Sequence, residues 1–330
     1  MAKIANPTYD AVFKYLMQDI RVAKLLLKIV LQVESIEELI VKNNEFVVIN
    51  TDELKLTRVD YQARIVPKNG EPQLVTIELQ KAFQDTQVKR FRKYLGQHYT
   101  NSENYEDIEE KNNNNQNIQL KQRPLHIIQI YLLGHKLENL NSSIVRSQVK
   151  YVNVDGKIVE NAEKEWFLKG LMHDMIVVQI PLLPEKPKNK VEEILSIFNH
   201  KKILTQDGHI VEINNYDDKS EEYKIIARRL QEAIVDDQVR KQMEYEDEVR
   251  EEAEYQARNA QLRYEAGVEK GRAEGREEGR AEGREEGREE ERTKAYQDKL
   301  EMAKKMKSDR MPIDIIIKYS GLSKDEIEKL

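Results

Sequence analysis

The sequence predicts an α/β domain whose core runs helix, three strands, helix, strand, with added strands behind it and a long C-terminal helical tail. Three observations predict it. Apolar residues recur at helical spacing over 8–31 and again, on a basic background, over 84–102. Short runs rich in Val, Ile and Thr occupy 46–50, 56–66 and 73–80, and a continuous apolar run spans Pro124 to Leu133. From 219 to 307 the pattern stays helical without a proline, well beyond the roughly 8–20 residues of an ordinary globular helix.

In the first helix Val12, Tyr15, Leu16, Ala23, Leu26, Leu27, Val30 and Leu31 stand at spacings that line one face, and Thr8 is placed to cap it. The three runs that follow have the β-branched content of strands. Pro67-Lys68-Asn69-Gly70, between the second and third, suits a hairpin turn. The run ending at Leu133 reads as a strand buried on both faces. Before it, NYEDIEEKNNNNQN has no apolar periodicity and reads as a mobile polar surface insertion at about 103–122. Residues 140–200 add strands (IVRSQVKYVNV, DMIVVQI) around the Asp155-Gly156 turn, and a helix. The expected divisions are a domain over 1–218 with its core at 8–134, a helix over 219–308, and a short helical hairpin over 309–330.

Composition excludes several functions. With 60 acidic against 54 basic residues the net charge is −6, so any affinity for nucleic acid has to come from a local patch. The absence of cysteine removes disulfides, thiolate zinc sites and cysteine nucleophiles, and fits a reducing, cytoplasmic location. The histidines are scattered without His-x-His or His-x-x-x-His spacing, and His126, in an apolar strand, reads as a satisfied interior residue. No Gly-rich phosphate loop points to a nucleotide cofactor, and no window reaches the ~18 apolar residues of a membrane span.

One constellation carries chemistry. Asp60 follows Val59 in the second strand, and the third reads Ile77-Glu78-Leu79-Gln80. Strand side chains alternate, so Glu78 and Gln80 share a face, and an antiparallel neighbour brings Asp60 beside Glu78. Two converging carboxylates make a hard-oxygen site for Mg²⁺ or Mn²⁺, the ions that assist phosphodiester cleavage. Taken alone, the same residues also fit a solvated face of an antiparallel sheet.

Element order and motif together resemble the PD-(D/E)XK nuclease superfamily, and within it the Rpn-type recombination-promoting nucleases, also described as transposase-like. Asp10, Phe13 and Lys14 match that group's Asp-x-x-Phe-Lys signal, and Glu78 and Gln80 its Glu-x-Gln. The glycine-spaced repeat and the closing Tyr319-Ser320-Gly321-Leu322-Ser323, with Glu326, Ile327 and Leu330, are similar to its C-terminal part. The resemblance covers most of the chain, the Asn-rich insertion being the clearest addition. It implies a restriction-endonuclease-like core and a Mg²⁺-dependent DNA endonuclease linked to recombination or a mobile element. Asp60 and Glu78 would then be metal ligands and Gln80 would position the attacking water. Val59 stands where the superfamily name has proline, and Gln80 stands where it has lysine, although glutamine carries no charge. Asp10 reads as an N-terminal-turn residue favoured by the helix dipole and is not assigned as a ligand. The alternative is a catalytically inactive nuclease-fold module that binds DNA or protein and oligomerises through its tail.

The helix at 84–102 carries Lys89, Arg90 and Lys93 at three-to-four spacing, a group suited to contacting the DNA backbone. Tyr94 reads as packing. In the tail, glycine recurs at 267, 271, 275, 279, 283 and 287, with arginine one place after each from 272 to 288. Interior helical glycines each cost about 1 kcal/mol relative to alanine. A partner helix, giving a homo-oligomer through residues 236–308, is the expected compensation, against the alternative of a solvated flexible arm. At the end of the chain, Ser323 and Glu326 form a capping box.

Overall fold

The computed structural model describes residues 1–42, 45–50, 53–58, 60–81, 87–111, 118–199 and 205–330. A short strand β1 (Ala2–Ala5) precedes α1 (Asp10–Gln18) and α2 (Ile20–Leu31). The pattern over 8–31 is thus two helices, because Asp19 is extended and its carboxylate accepts the Arg21 and Val22 N–H groups, starting a new helix. Thr8 does not cap α1: its hydroxyl bonds Asn6 at 2.8 Å. The free N–H groups of Asp10 and Ala11 instead meet the Glu246 carboxylate, at 3.0 and 2.7 Å.

Next come β2 (Ile36–Val41), β3 (Glu45–Asn50), β4 (Glu53–Arg58), β5 (Tyr61–Pro67) and β6 (Gln73–Gln80). The strand expected over 56–66 is divided: β4 pairs with β3 in a hairpin of its own, β5 joins the main sheet, and Val59 lies outside the described residues. On the side away from β6, β5 pairs antiparallel with β2, so the first sheet strand is not 46–50. Between β5 and β6 the turn forms as expected, with Asn69 at φ 58° and Gly70 N–H donating to the Pro67 carbonyl at 3.0 Å.

The chain continues through α3 (Gln87–Thr100), β7 (Tyr105–Lys111), β8 (Ile118–Pro124) and β9 (His126–Leu133). The stretch expected to be a mobile insertion is a hairpin, paired from Tyr105↔Pro124 to Lys111↔Ile118, with 112–117 outside the described residues. Main-chain pairing needs no apolar pattern, and the Arg64 guanidinium ties the hairpin to the sheet by reaching both Glu38 and Glu106. Then follow β10 (Ile144–Arg146), α4 (Trp166–Gly170), β11 (His173–Gln179), α5 (Lys190–Leu195), β12 (Ile210–Ile213), α6 (Glu221–Val235), α7 (Asp237–Ser308), α8 (Ile313–Ser320) and α9 (Lys324–Glu328).

The main sheet has six strands in the order β10-β11-β9-β6-β5-β2. The pairs β6·β9 and β9·β11 are parallel and the other three antiparallel, giving a mixed α/β architecture. Alternation divides β6: Val75 and Ile77 enter the large core with residues of α1, α2 and α6, while Leu74 packs on the other face with Leu95 of α3. Phe91 of α3 settles on Tyr131 of β9, ring centroids 4.7 Å apart. Thr76, Glu78 and Gln80 therefore lie beneath α3.

The chain forms two compact units, Met1–Val249 and Arg250–Leu330. The expected boundary at 218 moves accordingly: Tyr223, Ile226 and Leu230 of α6 are core residues, and so are Val239 and Met243 at the start of α7. Asp236 separates the two helices, its carboxylate accepting from Gln238 and Val239. In the second unit Ala303, Ile316, Leu322 and Ile327 form a small core, Gly321 takes φ 69°, and the Ser323–Glu326 capping box is made. Among the described residues no helix is long and apolar enough to cross a membrane.

Gly134 closes the edge where β6 and β9 end. Its N–H donates to the Gln80 carbonyl at 2.7 Å, and a Cβ there would overlap the Lys81 carbonyl. Gly134→Ala is expected to destabilise the first unit by about 1–3 kcal/mol, the usual range for overpacking, read as a lower urea midpoint.

Candidate functional site

The site is assembled at the end of β6. Pairing of Tyr61 with Ile77 carries Asp60, one residue earlier, alongside Glu78, and Asp60 Oδ2 accepts the Leu79 N–H at 2.5 Å. Parallel register sets Tyr131 beside Glu78 and Leu133 beside Gln80. Glu78 is 3% exposed and Gln80 6%. Asp60 keeps some residue surface, yet its carboxylate is crowded by protein.

Burial, which penalises the charged form, pushes both carboxyls up: Asp60 to about 7, helped by the nearby Asp10, and Glu78 to about 9, helped by Asp60. The two groups titrate as a unit. The Arg90 guanidinium works in the opposite direction on both. Tyr131 is raised to about 12, by burial and then by Glu78, and Tyr94 is raised chiefly by burial, with Glu78 and Asp60 adding.

Asp10, which the sequence reading left unassigned, joins this field: it raises both members of the pair, while its Oδ2 takes Lys14 Nζ at 2.5 Å. Lys89 and Lys93 are exposed on the outer face of α3, one turn apart. Arg90 does not share that face. It is half-buried and donates from Nη2 to the Gln80 amide oxygen, so it belongs to the site and not to an outer backbone-contact group. Helical period could have shown this, since Gln87, Phe91 and His98 are the buried stripe of α3 and Arg90 stands three residues after Gln87. Lys81 holds its ammonium 3.3 Å over the Tyr9 ring. Elsewhere His126 pairs with Asp174 at 3.0 Å, as befits an interior histidine.

Two buried carboxylate oxygens, Glu78 Oε1 and Asp10 Oδ1, have no hydrogen-bond partner among the described residues. Such atoms are few in folded proteins, and a bound water or ion is one of the explanations for them. Among the described residues no three Asp, Glu, His or Cys side chains converge closely enough to hold a metal ion by themselves. The Asp60–Glu78 pair nevertheless suits Mg²⁺ or Mn²⁺, which take one or two carboxylates and complete their shell with water and phosphate oxygens. Set against protein-family models, curated proteins and solved structures, the chain matches none of them.

The pKa directions set a pH dependence. Folded-state values above the ordinary 3.8 and 4.5 mean that the native state binds more protons than the unfolded one, so this pair's contribution falls as pH rises. In EDTA the melting temperature of the first unit is expected to drop between about pH 5 and 9, and Glu78→Gln to flatten that drop. Mn²⁺ at pH 8 should raise the wild-type melting temperature and leave Glu78→Gln unmoved; equal shifts in both would remove the pair as the ion's site.

Proposed function

We propose that this chain is a Mg²⁺-dependent DNA endonuclease built on a restriction-endonuclease-like core of the PD-(D/E)XK kind, with Mn²⁺ as an alternative ion. The observation that carries the reading is the buried Asp60–Glu78 pair, two acids held side by side with Glu78 Oε1 unpartnered. The succession α2, β2, β5, β6, α3, β9 supports it, since it repeats the expected order with β2 as first strand. The resemblance of Asp10, Phe13, Lys14, Glu78, Gln80 and the tail to the Rpn-type nucleases adds the link to recombination or a mobile element.

In this reading each residue has a chemical task. Asp60 and Glu78 would together hold a divalent cation where the sheet ends, giving up to solvent any proton they carry in its absence. That ion would polarise a phosphoryl oxygen and lower the pKa of the attacking water. Gln80 directs the water by hydrogen bonding and cannot take its proton. Lys89 and Lys93 face outward, where they would hold the backbone of a duplex without reading its sequence.

Supercoiled plasmid with Mg²⁺ tests the proposal: the wild type should nick it, and Asp60→Ala should lose nicking by the order of 10² or more, the size typical of removing one charge-stabilising group. A wild type that retains plasmid in a mobility assay yet never cuts it would favour the second reading, a binding module. That reading draws on one observation, the uncharged Gln80 where the superfamily has lysine.

The tail is proposed to join copies of the chain. In α7 an added Cβ would meet nothing within 4 Å at any glycine from 267 to 287. Arginines four apart, and glutamates likewise, repel within one helix, so each row is better matched by the opposite row of a second chain. Four residues overshoot a 3.6-residue turn by about 40°, so the glycine row winds around the helix and suits a crossing of i±4 ridges in place of a long heptad seam. Light scattering and circular dichroism on residues 236–308 should show a concentration-dependent helical oligomer; a disordered monomer at every concentration would end the idea.

A further inference from the structure

Gln80 and Arg90 touch, and the contact fixes what each can do. The Gln80 amide oxygen accepts from Arg90 Nη2, which turns its NH₂ away from the guanidinium. A glutamine so oriented is a donor. It cannot be a base, and by itself it brings no charge to a reaction that accumulates negative charge.

Arg90 has that charge. It sits on α3 directly before Phe91, whose ring is fixed on Tyr131, the strand neighbour of Glu78. Its Nε is buried without a hydrogen-bond partner, so donor capacity is left after Gln80 is served. Its positive charge favours the ionised forms of Asp60, Glu78 and Tyr94 alike, while its guanidinium contacts Gln80, two residues along the strand from Glu78. Lys89 and Lys93, one position before and three after, are exposed and do none of this.

Building on the nuclease reading, we infer that Arg90 and Gln80 form one functional unit in which the Arg90 guanidinium holds Gln80 as a donor and itself receives the phosphate being cleaved. The unit divides between two side chains the work of one lysine: charge from the helix, a hydrogen bond to the water from the strand. A guanidinium stays charged at every relevant pH and presents a planar fork to phosphate. An ammonium at position 80 would face it as a like charge, so glutamine at 80 and arginine at 90 require each other.

Two experiments test this. In the plasmid assay Arg90→Gln should lower kcat/KM by the order of 10–10³, as for other groups that meet developing charge. Arg90→Lys should recover part of it. Gln80→Lys alone should be inactive, and Gln80→Lys combined with Arg90→Gln should cut faster than either single variant, because the charge has moved to the strand. A merely structural Arg90 would not be rescued by a second substitution. In the second experiment a 20-base-pair duplex is bound, without metal, by Asp60→Asn, which cannot cut and carries less negative charge; adding Arg90→Gln should weaken binding and reduce the salt slope by about one. Wild-type cutting by Arg90→Gln, a double variant no better than the singles, or an unchanged slope overturns the inference. If the wild type itself never cuts, the nuclease reading fails separately, and the binding arm still reads whether Arg90 meets phosphate.

Discussion

A carboxyl 3% exposed, with a second carboxyl beside it and one oxygen unpartnered, cannot stay ionised unless something positive comes close. At about 4 Å and an effective dielectric of about 20 two like charges repel by about 4 kcal/mol, whereas holding a proton one pH unit above a group's pKa costs only about 1.4 kcal/mol. Taking up a proton is therefore easier for the Asp60–Glu78 pair than carrying two charges, even with Arg90 acting in the opposite direction. The rest of the first unit keeps that pair out of water. Phe91 and Tyr131 pin α3 over the sheet, Gly134 lets the ends of β6 and β9 meet, and Asp10 and Lys14 bring a further charged pair to the rim.

Holding Asp10 at that rim requires α1 to begin in one place. Its N-terminal N–H groups are satisfied by Glu246, and the adjoining Asp247 takes Tyr9 and His209, the latter at 2.7 Å. Residues near 246 thus complete a helix that starts at 10. The first turns of α7 belong to the same compact unit as the acids for this reason, and a division of the chain at 218 would strip α1 of its cap.

Much of this was legible locally. Asn69 and Gly70 mark their turn, Ser323 and Glu326 their capping box, and alternation along Ile77-Glu78-Leu79-Gln80 sets two polar side chains on one face. What escaped has identifiable causes. In β2 only Ile36 and Leu39 are buried, and the glutamates around them mask a strand whose partner is more than twenty residues away. The hairpin β7–β8 is held by main-chain pairing and by Arg64, and neither leaves an apolar signature. Asp19 looks like one polar residue in a helix until its carboxylate turns back to cap the next one. The cap supplied by Glu246 has no local signal, since its partners lie 235 and 236 positions away.

Arg90 shows the difference between composition and placement. Grouped with Lys89 and Lys93 it reads as one more surface base; seated beside Phe91 it faces inward and touches Gln80. This changes how the site responds to pH. A buried lysine loses its charge readily, so a site built on one would have a cation and an acid pair titrating against each other. With a guanidinium as the cation, the charge beside the acids is constant. In the proposed nuclease site the Asp60–Glu78 pair would then set how many protons leave when an ion binds, and a strand glutamine in place of lysine would remove a titrating group and not a necessary charge.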